Sequence, residues 1–339
     1  MGSAALPQPA PVRHQALQRR RCLGLFATPW LAAAGLALLQ GCAGGVGQAA
    51  STGLQPQRLA EGVYVLPGQG DEANSNNLGR IGNAGFIVGP LGVLAIDTGT
   101  SATHGQALLA AIRSVTHAPV RLVLITHTRP EFLFGAAAFQ AQGIAIQTHH
   151  STAQLMAARC ASCLRTLLQQ VGAGPMQGTT LVVPDRTFAG PLLLQTIGRP
   201  VQLLWGGHSS GPGDIAVFDQ TSGVLFGGGL FDNGRIPDIQ DSDLPGWQRM
   251  LASLQQLPLT QVVPGHGPAG PPALLATVQR YLQQLQARAQ VLVDEHASLI
   301  TVPDDTNLPD FAHWAQYDTI HRRNASIAFL RFERAQLLR

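Results

Sequence analysis

Apolar residues along this chain recur on two periods, and the alternation between them predicts an α/β body. Val63-Tyr-Val-Leu66, Asn83-Ala-Gly-Phe-Ile-Val88 and Gly92-Val-Leu-Ala-Ile96 are short and branched-rich, so they predict strands. Leu122-Val-Leu-Ile125 is apolar throughout, which predicts a strand of a parallel sheet buried on both faces. Residues 104–114 place Leu108, Leu109 and Ile112 on one helical face, and residues 151–170 predict a second helix after a strand at 143–147. The second half repeats the theme, with strands at 192–204 and 215–226, a helix at 245–257, a strand at 261–264 and a long helix at 274–296. Residues 311–338 predict a helical C-terminal addition that packs Ile320, Ile327, Leu330 and Phe332. Two similar halves meeting at histidine-bearing loops fit an αβ/βα sandwich with a cleft along one edge.

The first 42 residues follow different rules. Arg13 and Arg19-Arg-Arg21 precede an uncharged apolar run from Leu23 to Leu39, the layout of a secretory signal. Cys42 after Gly41 resembles a lipobox, with cleavage near Ala49-Ala50 as the alternative, and the arginine run also resembles a twin-arginine export signal. The expected location is therefore the periplasm, as a soluble protein or a lipoprotein anchored to the membrane through Cys42. Four of the 22 basic residues precede Cys42 and no acidic residue does, which leaves 18 arginines against 19 acids. The body thus carries almost no net charge and no arginine-rich stripe, so nucleic acid is not an expected partner. Residues 43–57 read as a small-residue linker.

The body holds two cysteines, in Arg159-Cys-Ala-Ser-Cys163 on the helix expected at 151–170. An oxidising compartment favours a local disulfide there, ahead of two free thiols and of redox catalysis.

Candidate chemistry sits in loops that follow the strands. The buried strand runs into Thr126-His-Thr-Arg-Pro-Glu-Phe132. Asp97-Thr-Gly99 follows another strand, and Gly207-His208 precedes Gly211-Pro-Gly-Asp214. Val224-Leu-Phe-Gly-Gly-Gly229 and Val262-Val-Pro-Gly-His-Gly267 complete the set. From about Leu59 to Leu285 these spaced motifs resemble the metallo-β-lactamase superfamily. Within it, residues 126–139, 234–247 and 314–333 resemble the quinoprotein relay system zinc metallohydrolases. The resemblance implies a metallo-β-lactamase-like domain at 58–290 with a helical C-terminal extension at 291–339. It further implies zinc held by His127, His208 and His266, and partners in periplasmic quinoprotein oxidation.

The motif departs from the family's His-X-His-X-Asp-His at three places. Arg129 stands for a histidine, Glu131 for the aspartate and Phe132 for the last histidine, while Gly229 replaces a metal-bridging aspartate. A guanidinium has no lone pair to donate, so Arg129 cannot be a ligand. Two readings follow. In one, a reduced zinc site activates water to hydrolyse an ester, thioester or amide. Glu131 then orients the water or acts as base, and Arg129 holds a small anionic substrate or a developing oxyanion. In the other, the protein is a metal-free pseudoenzyme that binds an anion or serves as an accessory protein. Arg129 then supplies the positive charge, and Glu131 pairs with it or with a histidine. Asp97 and Asp214 read as structural, His149-His150 as a solvated loop, and Ser209-Ser210 lacks a nucleophile-elbow context.

Overall fold

The computed structural model describes residues 54–70 and 72–338, so the leader, Cys42 and most of the expected linker lie outside the described residues. One sheet carries seven strands in chain order: β1 (Gln57–Ala60), β2 (Val63–Leu66), β3 (Ala84–Gly89), β4 (Gly92–Ile96), β5 (Val120–Ile125), β6 (Ile146–His149) and β7 (Arg186–Phe188). Pairing is antiparallel from β1 to β4 and parallel from β4 to β7. The second sheet has five strands, β8 (Leu192–Leu194), β9 (Val201–Leu204), β10 (Ala216–Asp219), β11 (Val224–Phe226) and β12 (Gln261–Val263). Only β11 and β12 run parallel in it.

Strand alternation divides the apolar residues among three layers of core. Leu94 and Ile96 of β4, with Leu122 and Leu124 of β5, face Val217, Phe226 and Val263 of the other sheet. Val93, Ala95, Val123 and Ile125 point the opposite way, onto α1 (Ala102–Val115), α3 (Ala136–Gln140) and α4 (His150–Val171). On the far side, Ala216, Phe218 and Leu225 pack against α5 (Leu244–Leu254) and α6 (Leu274–Asp294). Helix, sheet, sheet, helix is the αβ/βα sandwich expected from the sequence. A short α2 (Pro130–Leu133) interrupts the loop after β5.

The C-terminal residues form α7 (Val302–Asp305), two further short helical turns and α8 (Arg322–Leu337). The buried face of α8 is Asn324, Ala325, Ala328 and Phe329. Leu330, expected to pack inward, is exposed, because it lies one residue past Phe329 and so is turned off the buried stripe of the helix. His149 also departs from expectation. It is buried and stacks on Trp205 at 4.6 Å, while His150 opens α4.

Candidate functional site

The ends of β4, β5, β11 and β12 meet at one edge of the sandwich, and backbone hydrogen bonds fix each loop there. Asp97 follows β4 with φ of +56°, a strained setting for a non-glycine residue. Its buried carboxylate accepts from Thr126 N at 2.9 Å and from the Thr126 hydroxyl. Burial pushes the pKa of Asp97 up to about 7 despite those bonds. Thr98 N and Oγ1 both donate to the Phe132 carbonyl, at 2.7 and 3.0 Å, so the turn after β4 clamps the loop after β5. Asn83 performs the same service for the His266 loop, donating to the carbonyls of Pro264 and Gly267 at 2.8 Å.

His127 lies beside this clamp and is 1% exposed. Its Nδ1 is 2.7 Å from Thr126 Oγ1. With the Thr126 proton given to Asp97, that oxygen accepts from Nδ1–H, and Nε2 retains its lone pair. Nε2 has no hydrogen-bond partner among the described residues. Burial, with Arg129 nearby, lowers the pKa of His127 to about 3, so the ring is neutral at neutral pH.

His266 is the opposite case. Its Nδ1 is 2.8 Å from Asp232 Oδ1 and its Nε2 is 3.0 Å from Glu131 Oε1. Both carboxylates accept, so the ring holds two protons and is an imidazolium. Burial alone would lower its pKa, but the charges and hydrogen bonds of Asp232 and Glu131 outweigh burial and raise it. In return, burial is also outweighed at the two acids, whose pKa values fall to about 2, chiefly through His266 and then Arg129. Arg129 Nη1 completes the network at 3.7 Å from Asp232 Oδ2.

Phe132 keeps the two histidines apart. Its ring centroid is 4.3 Å from that of His127 and 5.2 Å from that of His266, and the residue is 1% exposed. Gly82 makes room for it, since a Cβ there would fall 2.5 Å from Phe132 Cζ. The place of the missing bridging aspartate is also filled. A Cβ on Gly229 would lie 2.7 Å from Asp214 Oδ2 and 2.9 Å from the His127 ring. Asp214 accepts from Ser210 Oγ at 2.7 Å, and burial raises its pKa to about 6.

These residues do not fit zinc. No group of three or more His, Cys, Asp or Glu side chains among the described residues is placed to hold a metal ion. His266 has no ring lone pair left. His208 is exposed, with its Nε2 2.6 Å from the Asp241 carbonyl. Of the two expected ligands that are buried, only His127 keeps an unpartnered ring nitrogen, where a tetrahedral zinc site needs at least three protein donors converging on one point.

Two cavities flank the loop after β5. The first, about 320 Å³, is lined by His127, Arg129, Asp214, Ser210 and the helix residues Cys160 and Cys163. The second, about 420 Å³, is lined by Glu131, Arg235 and again Cys163. Pro130 lines both, so Arg129 and Glu131 serve different openings. The C-terminal helix shapes the first cavity from behind. Asn324 donates to Pro237 O at 2.7 Å and accepts from Ile239 N, while Arg331 donates to Ile239 O and Gln240 O. Cys160 and Cys163 are free thiols on an unbroken helix, not the local disulfide expected from their spacing.

Of the expected residues, Arg129, Glu131, His127 and His266 thus converge on one edge, and His208 stands apart. Asp232 and Asp214 were the residues whose part the sequence concealed. Asp232 lies three residues beyond Gly229, where a swing toward the vacated site is the only hint available, and nothing local in Gly-Pro-Gly-Asp214 points to Gly229.

Known proteins match this architecture. A metallo-beta-lactamase from Pontibacter korlensis superposes with a TM-score of 0.56 at 24% identity, covering 68% of this chain and 99% of that one. The metallo-beta-lactamase type 2 of Bacteroides fragilis is 24% identical over 196 residues, 56% of this chain and 70% of that protein. The profile of the metallo-beta-lactamase superfamily matches residues 78–266, from the segment before β3 to His266 itself. With its two sheets, flanking helices and strand-end loops in that order, the chain belongs to the metallo-beta-lactamase superfamily and has its hydrolase-like fold.

Proposed function

We propose that the protein works without metal and binds a small anionic molecule in the cavity beside His127. The observation that carries this reading is the state of Arg129. Its side chain is 23% exposed on the cavity, yet it makes no hydrogen bond among the described residues, and its nearest carboxylate oxygen is 3.7 Å away. A guanidinium offers five N–H donors in a planar fork that matches a carboxylate or phosphate.

Asp238 and Asp214 share that cavity and raise the pKa of Arg129 by their charge, but each acid there also has a hydrogen-bond partner of its own. Asp241 takes two bonds from Arg159 at 2.8 Å, and Asp238 takes one from Arg323 at 2.7 Å. Asp214 accepts from Ser210, which holds one carboxylate oxygen. His127, neutral and with an unpartnered Nε2, is an acceptor for a ligand's hydroxyl or protonated oxygen. A ring with a pKa of about 3 is a weak base, which favours binding over proton abstraction by His127. A zinc dication bound here would face Arg129 and the His266 imidazolium, which disfavours it.

We also propose export to the periplasm, supported by the basic start, apolar run and Cys42 of the leader. A place beside quinoprotein oxidation is proposed from the family resemblance alone. The binding reading is tested by thermal shift of the full chain with phosphate, citrate and simple monocarboxylates, before and after Arg129→Gln. Stabilisation by at least one anion, with affinity falling about tenfold or more in the variant, is expected for a lost charge-assisted pair. Equal anion stabilisation in both proteins, or none in either, would contradict it.

A further inference from the structure

Cys160 and Cys163 belong to neither the ion-pair network nor the anion reading, yet both face the cavity that Arg129 lines. Cys163 also lines the second cavity, so this residue borders both openings. Cys160 is buried and Cys163 half-buried, an asymmetry that leaves one sulfur approachable and one shielded. Arg129 and Arg159 share the cavity with them.

Their helix explains why they are free and why they can still join. Residues three apart on an α-helix have Cα atoms about 5 Å apart, inside the range a disulfide accepts. Their Cβ atoms are about 5–6 Å apart, however, against about 3.8 Å in a disulfide. Closing the bond must therefore draw the helix in by roughly 1–2 Å. Such a bond is strained, easily reduced and suited to reversible exchange rather than to holding the fold.

We propose that Cys160 and Cys163 form a dithiol site that exchanges with small-molecule disulfides entering the cavity, with Cys163 attacking and Cys160 resolving. The Cys163 thiolate attacks one sulfur of the incoming disulfide. That breaks its S–S bond, releases one thiolate and leaves a mixed disulfide on Cys163. Cys160 then gives up its proton and attacks the Cys163 sulfur, releasing the second thiolate. In sum, the protein dithiol loses two electrons and two protons, and the small disulfide becomes two thiols. The assignment of roles follows exposure, and it agrees with the acidity of the pair. The Cys163 thiol donates to the Arg159 carbonyl at 3.5 Å, and interaction with the Cys160 thiol brings the Cys163 pKa down to about 7 while that interaction, with burial, pushes Cys160 upward. The exchange is a separate proposal from anion binding, although both use the cavity that Arg129 lines, so its test rests on the two cysteines alone.

Oxidised glutathione is the probe. Full-length protein is incubated with it near neutral pH and quenched in acid, and the peptide 160–165, bounded by Arg159 and Arg165, is weighed. The wild type should yield a peptide lighter by two hydrogens. Cys160→Ser should trap the glutathione adduct on Cys163, and Cys163→Ser should react at least about tenfold more slowly, as expected from the lost thiolate fraction. The relative rates of alkylation of the two cysteines in unmutated protein test the order without any variant, and Cys163 should react first. Two thiols that stay reduced in folded protein, or faster reaction at Cys160, or an adduct that leaves Cys160→Ser as fast as it leaves the wild type, would overturn the proposal.

Discussion

His127 follows β5 in one sheet and His266 follows β12 in the other, and the protein holds these two buried rings in opposite charge states. His127 has one ring nitrogen on a threonine hydroxyl, the other without a partner, and a pKa near 3. His266 has each nitrogen on a carboxylate and its pKa raised. Burial is equal at the two, so partners decide the outcome. A metal would need both rings neutral with lone pairs turned to one point. Here Phe132 fills the space between them, and Arg129 with protonated His266 supplies the positive charge locally.

The largest effect expected from disturbing this contrast is at the charged ring. Asp232→Ala should cost about 3–5 kcal/mol in denaturant unfolding, because it leaves a buried imidazolium with one counter-charge fewer. A cost under about 1 kcal/mol would mean that His266 is neutral. Next comes the separator. Gly82→Ala should cost about 1–3 kcal/mol by pressing a methyl into the Phe132 ring, and clearly less in a Phe132→Leu background. Additive costs would show that Gly82 does not serve that ring.

The pH dependence separates the two histidines by sign. His127 has a folded pKa below its unfolded value, so its share of stability is present above about pH 6.5 and is lost as pH falls toward 3. Glu131 and Asp232 add losses over the lower window, from their ordinary values of 4.5 and 3.8 down to about 2. His266 has a raised folded pKa, so its share is full below pH 6.5 and is lost as pH rises through the raised value. Asp97 and Asp214, raised to about 7 and 6, oppose the acid loss, since both gain protons in the folded state first. His127→Gln should therefore flatten the stability profile between pH 6.5 and 3 by up to about 1.4 kcal/mol per pH unit. An unchanged slope, measured by urea unfolding across that range, would place the acid loss elsewhere. The smallest effect is expected at His208. His208→Ala should shift stability by no more than about 0.5 kcal/mol and leave zinc uptake unchanged, as for an exposed side chain outside the network.

Much of this architecture was legible in the sequence because local patterns carry it. The strand at Val63–Leu66 and the helix at Leu274–Asp294 lie where apolar periodicity puts them, and Leu122 to Ile125 reads as buried on both faces because it is. The stretch at 192–204 is less faithful. Its apolar residues mark one strand, but a turn at Gly198 splits it into the β8–β9 hairpin, and a turn at Gly223 likewise splits the strand expected at 215–226 into β10 and β11. Within the site, the sequence exposes which ligand types are missing and conceals what replaces them. That Glu131 pairs with a histidine was one of two open choices, and the choice is made by a contact spanning 135 residues. Asp214 filling the space at Gly229 depends on the two sheets meeting at that edge. Arg129 and Glu131, two residues apart, serve different cavities because Pro130 forms the ridge between them. None of these is a property of any single segment.

The most direct test of the metal-free account is the protonation of His266, read by ¹⁵N NMR of histidine-labelled protein at neutral pH with and without one equivalent of zinc. The resonances are assigned with His266→Gln. The account predicts two protonated ring nitrogens on His266, one protonated nitrogen on His127, and no change on adding zinc. A His266 ring that carries one proton, or that loses a proton as zinc binds stoichiometrically, would contradict it.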